Sequence, residues 1–366
     1  MKNVHIKDIC IKGSSALKQK DLLTEGKFPV YGAGGIVGYL DTFHQEKTYI
    51  GIIKDGSGIG RVDFYPEKTS LIGTLQYILP RTGYDIRYIG YCLQSLDLSK
   101  YKQGAAIPHI YFRDYGERIV NVTEDVKEQQ SIVSRLDSAF AKIDAVKANA
   151  ENQLSDAKAL FQKELSKAMM PKEGWERKKL GEVSSFQNGF AFKSNLFRKE
   201  GHPIVRISNI QDEEILTDDI VYFNKEDYPV NFDNYKIYPN DILIAMSGGT
   251  TGKLGINTTN TIFYQNQRVG VIREDSNSLN HRFLFFFLLT KSKESLKIAA
   301  GAAQPNLSTA QIKDFAIPVP PLSEQQAIVS HLDTLSEKLK AVEEKQKTVM
   351  AECDAMKQAL LREVFE

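Results

Sequence analysis

Two stretches of the chain place apolar residues at steps of three and four, with charged or polar residues between them. The first runs through Ile132, Leu136, Ala139, Ile143, Val146, Ala150, Leu154, Ala157, Phe161, Leu165 and Ala168. The second runs through Ile328, Leu332, Leu335, Leu339, Val342, Gln346, Val349, Cys353, Met356, Leu360 and Val364, with Gln346 as its polar intruder. Neither run contains Gly or Pro, and the period predicts helices carrying a coiled-coil seam. At about 45 residues each helix spans roughly 68 Å, well beyond the ~10–14 residues of a typical globular helix. A stripe that long needs an apolar partner. The two helices are therefore expected to pack on each other, antiparallel, about an approximate two-fold axis; packing of each helix on its own domain is the alternative.

Elsewhere the pattern shortens to apolar runs at 50–53, 75–79, 241–245, 261–264 and 269–272, bounded by Gly, Asn and Ser. These predict β-strands joined by turns. Met170-Pro171-Lys172-Glu173-Gly174 stops the first helix. The expected architecture is α/β, with two globular domains separated by two long helices. Its segments are a first variable domain (1–122), a first spacer helix (123–170), a second variable domain (171–321) and a second spacer helix (322–366).

The chain is also written twice. Gly104-Ala105-Ala106-Ile107-Pro108 recurs as Gly301-Ala302-Ala303-Gln304-Pro305. Glu128-Gln129-Gln130-Ser131-Ile132-Val133-Ser134-Arg135-Leu136-Asp137 recurs as Glu324-Gln325-Gln326-Ala327-Ile328-Val329-Ser330-His331-Leu332-Asp333. A fainter echo sets Lys54-Asp55-Gly56-Ser57-Gly58-Ile59-Gly60 opposite Met246-Ser247-Gly248-Gly249-Thr250-Thr251-Gly252. An internal pseudo-two-fold repeat follows.

Composition narrows the class. With 42% hydrophobic and 25% charged residues the chain can bury cores, and 47 Lys+Arg against 46 Asp+Glu leaves nucleic-acid binding to local patches. Residues 1–103 hold fourteen Lys/Arg against ten Asp/Glu, and residues 177–300 hold sixteen against fourteen. Three cysteines (Cys10, Cys92, Cys353) and six scattered histidines supply neither a disulfide framework nor a metal-ligand spacing. The most apolar run, 283–289, is too short to cross a bilayer, so the cytoplasm is the expected compartment.

Chemical motifs fail on inspection. Ser247 to Leu254 lacks the first glycine and the hydroxyl after lysine that a phosphate-binding loop needs, and Gly32 to Gly38 misses the dinucleotide spacing. No Asn/Asp-Pro-Pro-aromatic motif of amino-methyltransferases occurs, nor any Pro-Asp pair to anchor a nuclease. No catalytic and no metal residue is expected in this chain. What remains are loops with groups that read nucleic acid: Tyr31, Lys54, Ser57 and Arg61 in the first half, and Lys193, Ser194, Arg206, Ser208, Asn209, Ser247, Thr250, Thr251, Lys253, Asn266, Gln267 and Arg268 in the second. Arg binds guanine bidentately, Asn and Gln bind adenine, and Ser, Thr and Lys hold phosphates. Ordinary solvated turns share this composition.

Gly301 to Ser308, then Ile317-Pro318-Val319-Pro320-Pro321-Leu322 and Ser323-Glu324-Gln325-Gln326-Ala327-Ile328-Val329, resemble the conserved region of the specificity (S) subunits of type I restriction-modification systems. Gly189-Phe190-Ala191-Phe192-Lys193-Ser194 and Ile204 to Ile210 resemble the start of a target recognition domain, and Pro29 to Tyr39 resembles another class of such domain. The first copy departs, with His109-Ile110 where Asn306-Leu307 stand and no Pro-Pro before Glu128. The resemblance implies that each variable domain reads one half of a bipartite, non-palindromic duplex target and that the helices fix the half-site spacing. It implies two methyltransferase (M) subunits docked about the helices, motor/endonuclease (R) subunits joining for restriction, and S-adenosylmethionine, ATP and Mg2+ used by those partners, with no cofactor in this chain. Two other readings stay open: the specificity partner of a fused restriction-methylation enzyme, and a coiled-coil adaptor whose terminal domains bind proteins.

Overall fold

The computed structural model describes residues 1–104, 108–211, 213–300 and 306–366. Most of both glycine-proline blocks, residues 105–107 and 301–305, lies outside them. The chain divides into two compact units: Met1–Gln153 with Lys345–Glu366, and Leu154–Glu344.

In the first unit strand Lys2–His5 pairs antiparallel with Ile119–Val122, and the short helix Ile6–Ile9 leads into strand Cys10–Ser14. A four-stranded antiparallel sheet follows in the order Cys10–Ser14, Leu75–Pro80, Tyr49–Ile53, Val62–Tyr65. Strand alternation splits Tyr49–Ile53 between two cores. Ile50 and Ile52 pack with helix Ile86–Ser95 and with Ile132 and Leu136, while Tyr49 and Ile53 join Tyr65, Leu71, Leu75 and Tyr77 on the other face. A smaller sheet is made of Gly35–Leu40, Phe28–Gly32 and Ser70–Leu71.

The second unit repeats this frame. Glu176–Lys179 pairs with Ala316–Val319, Leu180–Val183 is a short helix, and the main sheet opens Ser184–Asn188, Val269–Glu274, Ile242–Ala245, Leu254–Ile256. Position by position this is the first unit's sheet order; Glu213–Ile215 and Ile210–Gln211 then extend the edge. Ile242, Ile244 and Ile272 face helix His281–Ala300 and Leu332, and Leu243, Ala245, Val269 and Val271 face away from it. The second sheet orders Val221–Phe223, His202–Val205, Phe263–Gln265 and Lys236–Ile237 over an aromatic core of Phe192, Phe223, Phe232 and Tyr264.

Two unbroken helices, Val126–Ala168 and Leu322–Phe365, carry the three-four pattern. Within the first unit they run antiparallel: Lys147 Nζ donates to Asp354 Oδ1 (2.7 Å), Lys357 Nζ to Asp144 Oδ1 (2.5 Å), and Gln346 Nε2 to Gln153 Oε1 (2.8 Å). Within the second, Lys158 pairs with Glu343 (2.9 Å) and Lys172, just past the first helix, with Glu324 (3.3 Å), which gives the same direction. The polar intruder Gln346 is buried with its partner supplied across the seam. Such a pair specifies register at some cost in stability.

Of the expected seam residues, Ile132, Leu136, Ile143, Phe161 and Leu332 are buried, and Leu154, Ile328, Leu339, Val349 and Leu360 are partly buried. Val146 and Met356 are corrections: they are 51% and 56% exposed. Their neighbours Lys147 and Lys357 take the ion pairs instead, because a 3.6-residue turn drifts away from a fixed three-four count. By the chain's end the seam has moved one residue on, so that Leu361 and Phe365 are buried.

Cys10, Cys92 and Cys353 are buried free thiols. Burial pushes the Cys10 thiol up to about 12, against a smaller lowering by Arg81, and burial also raises Cys92. Native protein at pH 8 is expected to leave both thiols unmodified by a disulfide reagent until denaturant is added, since the thiolate is the nucleophile. The stability tied to keeping them neutral is complete below the unfolded thiol pKa and erodes as pH rises above it. Rapid labelling of Cys10 or Cys92 in the folded protein would contradict this burial.

Candidate nucleic-acid interface

In the first unit backbone hydrogen bonds gather three loop segments. The turn after strand Tyr49–Ile53 needs glycine: Gly56, Gly58 and Gly60 all have positive φ, and a Cβ on Gly60 would stand 2.8 Å from Ser99 N. Arg61 leaves this turn, donating through Nε to Asp63 Oδ2 (2.7 Å) and through Nη2 to the carbonyl of Ala33. That bond ties the turn to the Tyr31–Gly35 loop, where the Tyr31 ring meets Tyr65 at 5.2 Å. Lys54 forms an ion pair with Asp55, and Ser57 is exposed. On the other side, Gly56 N donates to Pro108 O (3.1 Å) and Ile110 N to Lys54 O (2.9 Å). The four residues expected from sequence therefore belong to one neighbourhood.

Sequence reasoning missed three others there. His109 Nδ1 lies 2.5 Å from Asp55 Oδ1, its ring stacks on Tyr111, and the Arg113 guanidinium sits 4.7 Å from the Tyr111 ring centre. Tyr111 is among the exposed large side chains. The available signal was His109 standing at the repeat position occupied by Asn306.

The second unit is wired alike. Leu307 N donates to Met246 O (2.8 Å), and Ser247 bridges Asn306, as Ile110 donates to Lys54 and Asp55 bridges His109. The faint echo between the two glycine turns is thus a structural equivalence. Met246 N donates to Arg268 O, Asn266 N to Val205 O, and Phe190 N to Gln265 O. These bonds link the segments of Lys193, Arg206, Ser247–Lys253 and Asn266–Arg268. Gly189 is required for that closeness, because a Cβ there would fall 2.0 Å from the Asn266 carbonyl oxygen.

Not every expected residue is available at the surface. Lys193, Ser194, Ser208, Lys253, Gln267 and Arg268 are exposed, and Arg206, Thr250 and Asn266 are partly so. Asn209, Ser247 and Thr251 are corrections, all buried. Asn209 accepts from Arg206 N (2.9 Å) and donates to Leu216 O (3.0 Å), which braces its own turn. Ser247 is buried where its backbone bridges Asn306, and Thr251 Oγ1 donates to Gly248 O (2.7 Å). Short polar side chains close tight turns in this way, and their composition alone did not separate that use from recognition. Arg206 donates through Nη2 to Asp219 O (2.7 Å), while Arg206 Nε and Thr250 Oγ1 are buried without a hydrogen-bond partner among the described residues.

No group of three or more His, Cys, Asp or Glu among the described residues is placed to hold a metal, and no described helix is long and apolar enough to cross a membrane. Exposed cations, amides and hydroxyls on glycine-supported loops suit contact with phosphates and base edges.

Comparison with known proteins points the same way. The family model described as the type I restriction modification DNA specificity domain matches residues 1–155 and again 172–350. The type I restriction enzyme EcoBI specificity subunit of Escherichia coli is 28% identical over 183 residues, which is 50% of this chain and 36% of that one. The type I restriction enzyme MjaVIII specificity subunit of Methanocaldococcus jannaschii is 26% identical over 357 residues, covering 89% of this chain and 83% of its own length. A chain from a solved structure, concerned with complex assembly and conformational transition of the type I R-M system, shares the fold. Its TM-score is 0.73 at 18% identity, over 98% of this chain and 96% of that one.

Proposed function

Because the chain belongs to the family of type I restriction modification DNA specificity domains, we propose that it is the sequence-reading subunit of a type I restriction-modification complex and reads a bipartite, non-palindromic duplex. One observation carries this reading: two units share a sheet order and a bracketed glycine turn, yet present different side chains there. A common frame with two unlike loop sets is what two unlike half-sites require. The first reader uses the Tyr31, Lys54–Arg61 and His109–Arg113 segments; the second uses Lys193, Arg206, Thr250, Lys253 and Asn266–Arg268.

The paired helices set the spacing of the half-sites and dock two methyltransferase subunits, with motor/endonuclease subunits completing the enzyme in the cytoplasm. Adenine methylation with S-adenosylmethionine, and ATP- and Mg2+-dependent cleavage, belong to those partners, which flip and modify the base.

The test is a methylation map of a host carrying this chain with its partners, which should return one bipartite adenine-methylated motif. Replacing residues 1–103 by another variable domain should change one half only; a change in both halves would sink the two-reader proposal. DNA binding by the assembled complex should fall steeply with salt, and Arg268→Ala or Lys253→Ala should each lower the log–log slope by about one if it removes one phosphate contact.

A further inference from the structure

The duplicated Gln and Asp of the two long helices form matching contacts in both units, Asp137 accepting in addition from the Tyr91 hydroxyl. Gln129 and Gln325 are each the fourth residue of their helix and are fully buried. Gln129 Oε1 accepts from Asp85 N (2.7 Å), and its Nε2 donates to Gly83 O (3.1 Å) and Thr123 O (3.0 Å). Gln325 Oε1 accepts from Asn280 N (2.7 Å), and its Nε2 donates to Ser278 O (2.9 Å) and Pro320 O (2.8 Å). One amide thus joins the long helix, the segment entering it and the start of the domain's own helix.

Eight residues further on, Asp137 accepts from Arg87 Nη2 (2.7 Å) and Asp333 from Arg282 Nε (3.1 Å) and Nη2 (2.5 Å). Each arginine is the second residue of its domain helix, beginning Ile86 or His281. Each also lies against an aromatic ring: Arg87 is 5.7 Å from Tyr91, and Arg282 is 4.8 Å from Phe286. The helix caps match as well. Asp85 Oδ1 accepts from Arg87 N and Tyr88 N, and Asn280 Oδ1 from Arg282 N and Phe283 N.

A single anchor would hold a domain on its helix but leave it free to swing. Two anchors about 12 Å apart along the axis, at 1.5 Å per residue, fix the angle as well. The same two-point contact persists between otherwise divergent domain sequences. We propose that Gln129 with Asp137 and Arg87, and Gln325 with Asp333 and Arg282, are positioning residues. They hold each recognition domain at one angle on its helix, so that only one spacing between half-sites is accepted. This rests on the bipartite reading proposed above.

The experiment uses the assembled complex with its methyltransferase subunits. Its probes are duplexes carrying the mapped motif at natural spacing and at one base pair shorter or longer. Gln129→Met and Gln325→Met keep the side-chain volume while removing the amide. Arg87→Lys and Arg282→Lys alter partly exposed groups and leave the cores untouched, so they report even where the buried variants fail to fold. The ratio of methylation at altered spacing to that at natural spacing is expected to rise at least about tenfold, a 1.4 kcal/mol change in discrimination. Overall modification that falls with the ratio unchanged, in the folded arginine variants, would overturn the proposal and leave these residues as stabilising contacts only. A wild-type complex that methylates no bipartite duplex would instead overturn the underlying reading.

Discussion

Replacing Phe365, the residue before the last, by alanine is expected to destabilise the first unit by about 3–5 kcal/mol. Phe365 is 1% exposed, its ring lies 5.2 Å from that of Tyr88, and Leu361 one turn earlier is equally enclosed. Both belong to the cluster holding Ile50, Ile78, Ile89 and Leu136. The last turns of the chain therefore complete the core of the first domain. Against a usual stability of about 5–15 kcal/mol, losing this ring removes a large share. Amide hydrogen exchange should show lost protection in residues 1–153 with residues 154–344 largely unaffected. Leu165 and Met169 hold the corresponding positions in the second unit's core, so Met169→Ala should reverse that pattern. Met356→Ala, at an exposed position, is the control and should be nearly neutral. Equal melting of Phe365→Ala and the wild type would mean that the C-terminal turns are not part of this core.

What could be read beforehand was whatever depends on period. The long helices and the main strands rest on three-four or two-residue spacing over many positions, and each was recovered within a few residues; the antiparallel direction rested instead on the internal repeat. Val146, Met356, Leu361 and Phe365 escaped because small errors of phase accumulate along a helix of more than forty residues. The loops were harder for a different reason. Asn209, Ser247 and Thr251 have the composition of recognition residues, and only the path of the backbone shows that Asn209 and Thr251 close turns and that Ser247 is buried at a backbone bridge. Arg87 and Arg282 were missed although both lie in equivalent Asx-capped first turns, because their neighbours had diverged: Ile86-Arg87-Tyr88-Ile89 against His281-Arg282-Phe283-Leu284. The match emerges only when capping chemistry, rather than residue identity, is compared.

Leu332→Asp is expected to abolish the folded second unit and, with it, methylation by the assembled complex. Leu332 is fully buried in the same hydrophobic cluster as Val329, Leu165 and Phe283, and the Arg282 guanidinium is already engaged by the neighbouring Asp333. An unpaired charge placed there meets a desolvation penalty of several kcal/mol, added to the lost packing of the leucine. The adjacent Asp333, already engaged by Arg282, contributes like-charge repulsion. Leu136→Asp does the same in the first unit, where Leu136 is buried beside Ile132. Leu339→Asp is a graded comparison, since Leu339 is only partly buried and its carboxylate can reach water; its effect should be clearly smaller. Thermal melting followed by circular dichroism should rank Leu332→Asp and Leu136→Asp far below Leu339→Asp. Methylation should be lost at both half-sites for either of the first two, because a complex that reads one half alone does not select its target. Wild-type melting and full methylation in Leu332→Asp would show that the start of the second long helix is not packed on its domain, and the positioning role of Gln325 and Asp333 would fall with it.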